Sequence, residues 1–235
     1  MIKEYAKPIN SFEKLIGYEF KDKSLIIQAW THTSYANEYN SVNKNKIEHY
    51  ERLEFLGDAV LELIIVQYLY EKYPKHNEGK LTYIKQAVVC EPYLAKCSKE
   101  YGLNKYILLG RGEELEKGRQ KDTIIADVVE AILGAIYLDG GFTNAKEFVN
   151  KFILNDFDNK QLFFNSKNIL QEYSQKIYKK LPEYFCIKES GESHRKIYEV
   201  VVRLNEKEMG YGKATSMKAA EQQAAYEALK KINEK

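Results

Sequence analysis

Glu51, Glu54 and Asp58 fall within the stretch ERLEFLGDAV, residues 51 to 60. At 3.6 residues per turn a helix carries all three on one side, while Leu53, Leu56 and Val60 pack elsewhere. A second acidic pair, Asp127 and Glu130, repeats the i, i+3 arrangement inside an otherwise apolar stretch, Ile124 to Leu138. Ionised carboxylates on such a helix are costly unless a cation meets them. One partner that spacing allows is a hard divalent metal such as Mg²⁺. It prefers carboxylate and water oxygens, and it generates a hydroxide nucleophile while stabilising charge on a phosphate. The other is a set of ordinary ion pairs with Arg52, Arg111 or Lys121, Glu54 and Asp58 then simply solvating a helix surface.

Other reactive side chains offer less. His32 and His49 have no evident orienting partner in the sequence, and a lone His near a helix start is usually a cap or a core residue, so neither is assigned a catalytic role. Cys90, Cys97 and Cys186 make no CxxC pair and are odd in number. They read as reduced, buried small residues, Cys90 and Cys97 sharing one helix face, and no structural zinc is expected.

The elements that must position these residues change character along the chain. From Ser11 to about Phe157 the apolar residues recur at three and four, as in Leu53, Leu56, Val60, Leu61 and Ile64, which is the spacing of a buried helix face. Gly17, Pro74, Gly79, Pro92, Gly102 and Gly110 punctuate the helices, and Gly140 and Gly141 mark a turn before a last helix, Asn144 to Leu154. Residues 156–165 have no clear period and read as a connection. A new pattern then begins: a helix from Asn168 to Lys179 with Ile169, Leu170, Tyr173 and Ile177 inward, ended by Pro182. Three short strands follow, Tyr184 to Ile187, Ile197 to Leu204 and Met209 to Lys213, the last two joined by a turn over 205–208. A final helix from Ser216 directs Met217, Ala220, Ala224, Ala228, Leu229 and Ile232 inward. The expectation is a multidomain chain: an all-α domain over residues 1–157, a linker over 158–165 and a small α-β-β-β-α domain of the α+β class over 166–235.

Charge follows the same division. Residues 1–165 hold 22 Lys and Arg against 24 Asp and Glu, whereas residues 166–235 hold 14 against 10, so the small domain is the basic end and suits a polyanion. The longest apolar stretches are interrupted by residues such as Glu62 and Gln67, and the start has no apolar signal region. No membrane association and a cytoplasmic location are therefore expected.

The segment 51–60 matches, almost letter for letter, the signature of the bacterial ribonuclease III family. Other segments agree: AWTHTSY, residues 29–35, resembles that family's early Leu-Thr-His-x-Ser segment, NEGKLT, residues 77–82, its Glu-Gly-x-Leu-Thr turn, and residues 125–141 its second acidic block. The resemblance implies an endonuclease domain that hydrolyses double-stranded RNA with Mg²⁺, or Mn²⁺ as an alternative, leaving 5′-phosphate and 3′-hydroxyl ends with short 3′ overhangs. It implies that Glu54, Asp58, Asp127 and Glu130 coordinate the ion, Asp58 and Glu130 being the most indispensable. Glu51 and Glu78 become accessory acidic residues near the RNA, and Phe55 a contact in a homodimer. The α-β-β-β-α domain resembles the double-stranded-RNA-binding domain. This implies that Gln171, Glu172 and the loop around His194 read 2′-hydroxyls of the minor groove, while Lys213, Ser216 and Lys218 face phosphates. One departure from that pattern is Met217, which stands where the family usually has a first of two adjacent lysines. Ribosomal RNA precursors and structured messenger RNAs are the substrates that follow. A binding-only protein that keeps the fold without the chemistry is the competing reading; acidic residues at all four ligand positions favour the enzyme.

Overall fold

Residues 2–191 and 196–233 are described by the structure, a computed structural model. The chain divides into two compact units, Met1–Asn155 and Asp156–Lys235. Elements of the first are α1 (Ile2–Ile16), α2 (Lys23–Trp30), α3 (Thr33–Val42), α4 (Glu51–Lys72), α5 (Glu78–Val88), α6 (Glu91–Tyr101), α7 (Arg111–Leu115) and α8 (Asp122–Phe152). Among the described residues no helix is long and apolar enough to cross a membrane.

Polar residues start several of these helices by satisfying backbone donors that the first turn leaves without intrahelical partners. Asp22 Oδ1 accepts from Ser24 N–H at 2.9 Å, His32 Nδ1 from Ser34 N–H at 3.1 Å, and Asn77 Oδ1 from Lys80 N–H at 3.0 Å. His32 is thus a cap, as its position suggested. Cys90 is the half-buried residue before α6, Cys97 is buried within that helix, and Cys186 is exposed, correcting the expectation that all three are buried. Cys186 lies on an edge strand most of whose residues face solvent.

The core of this unit is built on α4 and α8. Leu53, Val60, Leu61, Ile64, Ile65 and Leu69 are buried on α4, and α8 buries residues nearly all round from Ile124 to Ile136. Leu56 is only half-buried, so the inward face of α4 is narrower than its spacing suggests. The two helices cross at Gly57 and Gly134. A Cβ built on Gly57 would overlap the carbonyl oxygen of Glu130, and one on Gly134 would overlap that of Leu53. At Gly141, φ 77° and ψ −177° break the helical geometry of α8, so the turn expected at Gly140 and Gly141 is a kink between two helical segments.

The second unit contains α9 (Phe157–Phe164), α10 (Ser166–Tyr178), β1 (Glu183–Ser190), β2 (Ile197–Leu204), β3 (Lys207–Ala214) and α11 (Met217–Asn233). Where a linker was expected over 158–165, the chain is helical and packs with this unit: Gln222 Nε2 donates to the Phe163 carbonyl at 3.1 Å, and the Phe163 and Tyr226 rings meet at 5.4 Å. Eight residues are too few for a helical period to show.

The three strands form an antiparallel sheet in the order β1-β2-β3. Asn205 and Glu206, both at positive φ (47° and 70°), make the tight turn between β2 and β3, shorter than the four residues expected. Val200, Val202 and Leu204 alternate into a core with Leu170, Ala220, Ala224, Ala228 and Leu229. Two expectations fail at helix ends. Ile177 is exposed while Tyr178 packs in its place, and Met217 is exposed because the first turn of α11 has not yet reached the sheet. Gly210 and Gly212 let β3 lie against α11, since Cβ atoms there would overlap the carbonyl oxygens of Ala224 and Ala220.

Overlap with backbone cannot be relieved by a rotamer change, so Gly134→Ala is expected to destabilise the first unit by about 1–3 kcal/mol despite the better helix propensity of alanine. Urea unfolding monitored by circular dichroism measures this. An unchanged or raised midpoint would show that the helices are not in backbone contact.

Candidate active site

The crossing of α4 and α8 sets two acidic flanks side by side. Gly57 lies between Glu54 and Asp58, and the Glu130 carbonyl it contacts lies one residue-turn from Asp127. Packing at backbone distance therefore gathers the four carboxylates that the sequence separates by some seventy positions. The charges of the set raise the proton affinity of Glu54 and Glu130. Burial, then the charges of Asp127, Glu51 and Asp58, lift Glu54 to a pKa of about 7. Burial, then Asp58, Asp127, Glu54 and Glu91, lift Glu130 to about 8. Asp58 and Asp127 are also raised, chiefly by burial.

Ordinary ion pairs do not relieve this field. Arg52 reaches Glu48 at 4.0 Å, Lys121 is held by Glu113 at 2.6 Å and Glu116 at 3.2 Å, and Arg111 meets Glu38 through its backbone N–H. Among the described residues none of the four carboxylates is ion-paired. Lys85 lowers the Asp58 pKa, but its ammonium is bound to Glu62 at 2.8 Å. Also among the described residues, no three His, Cys, Asp or Glu side chains already converge on one ion-sized point. What the crossing offers is a set of hard oxygen donors of one sign, none of them ion-paired among the described residues, which fits a small oxygen-seeking dication such as Mg²⁺.

Two residues of this site carried no signal in the sequence. Tyr50, buried just before α4, donates its hydroxyl to Asp127 Oδ2 at 3.1 Å, and burial beside these carboxylates holds its phenol far above the ordinary range. Glu91, the first residue of α6, adds charge to Asp127 and Glu130 and is tied to α8 by Thr123 Oγ1 at 2.9 Å. Gly57 and Gly134 could have been found: a glycine inside a helix costs about 1 kcal/mol against alanine and usually has a packing reason.

The other expected residues lie around this centre or in the second unit. Glu51 shares the field of Glu54, whereas Glu78 is an exposed residue opening α5, its Oε1 accepting from Thr82 Oγ1 at 2.9 Å. Phe55 is 82% exposed and borders a cavity of about 610 Å³ with Leu25, Leu56 and Leu138. Gln171 and Glu172 are exposed on α10, and Lys218 is exposed on α11. The Ser216 hydroxyl accepts from Ala219 N–H at 3.2 Å, capping α11, and Lys213 is paired with Glu199 at 3.0 Å. His194 lies outside the described residues.

Two family models match the chain. Residues 22–157 match the Ribonuclease-III-like family model and residues 166–232 the double-stranded RNA binding motif. Ribonuclease 3 of Pseudothermotoga lettingae is 40% identical over 235 residues, spanning 99% of each chain. Ribonuclease 3 of Bacillus cereus is 43% identical over 234 residues, 98% of this chain and 94% of that one. The crystal structure of the nuclease domain of ribonuclease III from Campylobacter jejuni superposes with a TM-score of 0.55, at 41% identity, over 62% of this chain and 92% of that one.

A carboxyl whose pKa is raised in the fold keeps its proton there after the unfolded chain has released it, so its contribution to stability is lost as pH rises from the unfolded to the folded value. For Glu54 and Glu130 that window runs from the ordinary 4.5 to about 7 and about 8. Without divalent ions the thermal midpoint should fall across this window, and Glu130→Gln should flatten the fall. Calorimetry in chelator from about pH 5 to about pH 8.5 checks this; equal slopes for both proteins would mean that Glu130 does not titrate there.

Proposed function

The chain belongs to the ribonuclease III family, and on that footing we propose that it is a Mg²⁺-dependent endonuclease of double-stranded RNA in which Glu54, Asp58, Asp127 and Glu130 hold the ion, Mn²⁺ being an alternative. The observation that carries this reading is the backbone-close crossing of α4 and α8, which groups four carboxylates with no cationic side chain paired to them among the described residues.

Bound there, Mg²⁺ supplies a hydroxide nucleophile at neutral pH and Lewis-acid stabilisation of phosphate charge. The chain's own residues do the rest. Asp58 and Glu130 are the most indispensable ligands, one from each helix, so that the donor set is lost if either is removed. Glu54 and Glu130 release protons as a dication enters, which makes binding tighten with rising pH. Glu51 and Glu78 are acidic neighbours that lie near the RNA. Hydrolysis leaves 5′-phosphate and 3′-hydroxyl ends with short 3′ overhangs, and ribosomal RNA precursors and structured messenger RNAs, met in the cytoplasm, are the substrates.

The second unit is the clamp. Gln171, Glu172 and His194 read 2′-hydroxyls in the minor groove, while Lys213, Lys218 and the start of α11 at Ser216 meet phosphates. Support comes from the motif matched over residues 166–232 and from the exposure of Gln171, Glu172 and Lys218. The enzyme works as a homodimer, Phe55 of each subunit entering a pocket of the other. The exposure of Phe55 beside an apolar cavity supports this, as does the dimer-forming region named for the nuclease domain of Campylobacter jejuni. Duplex strands run in opposite directions, and a two-fold axis gives each strand its own site.

Incubation with a long RNA duplex, with and without Mg²⁺, tests the activity itself. Glu130→Ala and Asp58→Asn should each lower cleavage by at least about a thousandfold, on the order of 4 kcal/mol, while filter binding to the duplex stays within about twofold. Mg²⁺-dependent cutting retained in both variants would end the metal-site reading.

Heterodimers of one unaltered and one Glu130→Ala subunit should nick the duplex without breaking it, as read on native and denaturing gels. Clean double-strand breaks in a single encounter would mean that one site serves both strands.

A further inference from the structure

We infer that Tyr50 is a positioning residue of this site, its hydroxyl holding the Asp127 carboxylate in the orientation that takes up the divalent ion. The inference rests on the metal-site reading above and assigns a function to a residue that the acidic motifs do not include.

Tyr50 is anchored before it reaches Asp127. Its N–H donates to the Thr31 carbonyl at 3.0 Å, and its own carbonyl accepts from Leu53 and Glu54 N–H at 2.8 and 2.9 Å, so it is bonded both to the segment after α2 and to the first turn of α4. The residue is only 4% exposed, and its ring lies 5.7 Å from the His32 ring. His32 is fixed in turn by its N–H to the Leu108 carbonyl at 3.0 Å. A hydroxyl on a rigid ring held in this way has little freedom, and it points at Oδ2 of Asp127, at 3.1 Å.

That bond takes one of the roughly four lone-pair positions of the carboxylate and leaves the others for an ion. Asp127 sits among like charges, which favour any rotamer that carries it away from Glu54 and Glu130. The Tyr50 hydroxyl opposes that drift and is the only side-chain donor bonded to Asp127 among the described residues. Hydrogen-bond partners that orient a metal-ligating carboxylate typically change metal affinity 10–100-fold when removed. The alternative is that Tyr50 matters only as a buried ring, and Tyr50→Phe separates the two by deleting the oxygen alone.

The test is Mn²⁺ binding by the full-length protein without RNA, read from the loss of the free-ion electron paramagnetic resonance signal, together with the Mg²⁺ dependence of duplex cleavage. Tyr50→Phe should weaken Mn²⁺ binding by about tenfold and raise the Mg²⁺ concentration for half-maximal rate similarly. KM for the duplex and the melting temperature in chelator should stay near those of the unaltered protein, and excess Mg²⁺ should restore most of the rate. Tyr50→Leu, which also removes the ring, should add a loss of melting temperature that excess Mg²⁺ does not repair. Mn²⁺ affinity in Tyr50→Phe within twofold of the unaltered protein would overturn the inference while leaving the metal site standing. Failure of the unaltered protein itself to bind Mn²⁺ would remove the metal-site reading, and this inference with it.

Discussion

Gly57 faces the carbonyl of Glu130 and Gly134 faces that of Leu53, so the backbones of α4 and α8 meet with no side chain between them. Each glycine lowers the intrinsic helix stability by about 1 kcal/mol relative to alanine, so this contact is held against local propensity by the apolar residues on either side of it. A helix pair separated by ordinary side chains has its axes 8–10 Å apart. At this crossing the helices come close enough for the acidic flank of one to share space with that of the other, and the electrostatics of the site follow from that approach.

Like charges gathered in this way make the site unfavourable for its own ionised state. Glu54 and Glu130 hold protons into the neutral range, and Glu91, from a third helix, adds to the field. A protein does not keep such a cluster on a helix crossing for stability, because burial of unpaired charge is among the larger destabilising effects available to a fold. In the proposed function a dication would relieve this destabilisation, since the same repulsion that raises the pKa values strengthens attraction for a positive ion.

The second unit solves a different packing problem by a similar means. Gly210 and Gly212 on β3 let α11 settle directly on the sheet, and the facing positions Ala220, Ala224 and Ala228 are small for the same reason. The tight contact leaves the polar side of α11 and the outer residues of α10 in solvent, the surfaces that the proposed clamp uses; an RNA duplex is in general recognised by shape and phosphate contacts rather than by base sequence. In the proposed function chemistry and affinity reside in separate units, and each unit is organised about a helix at backbone distance from its neighbour.

Much of this was legible in one dimension. The spacing of Glu51, Glu54 and Asp58, the second pair Asp127 and Glu130, the all-α to α-β-β-β-α change and the basic balance of the C-terminal part are periodicities and counts, and these survive without coordinates because helices and strands repeat at fixed intervals. Short elements and element ends were less legible. The helix α9, the place of Tyr178 rather than Ile177 in the core and the exposure of Met217 depend on where one element runs out against another. What the tertiary structure alone decided is which distant residues meet: the apposition of Gly57 with Glu130, the bond from Tyr50 to Asp127 and the approach of Glu91 all join positions far apart in the chain. Their pairing follows from how two helices cross, which no local spacing records.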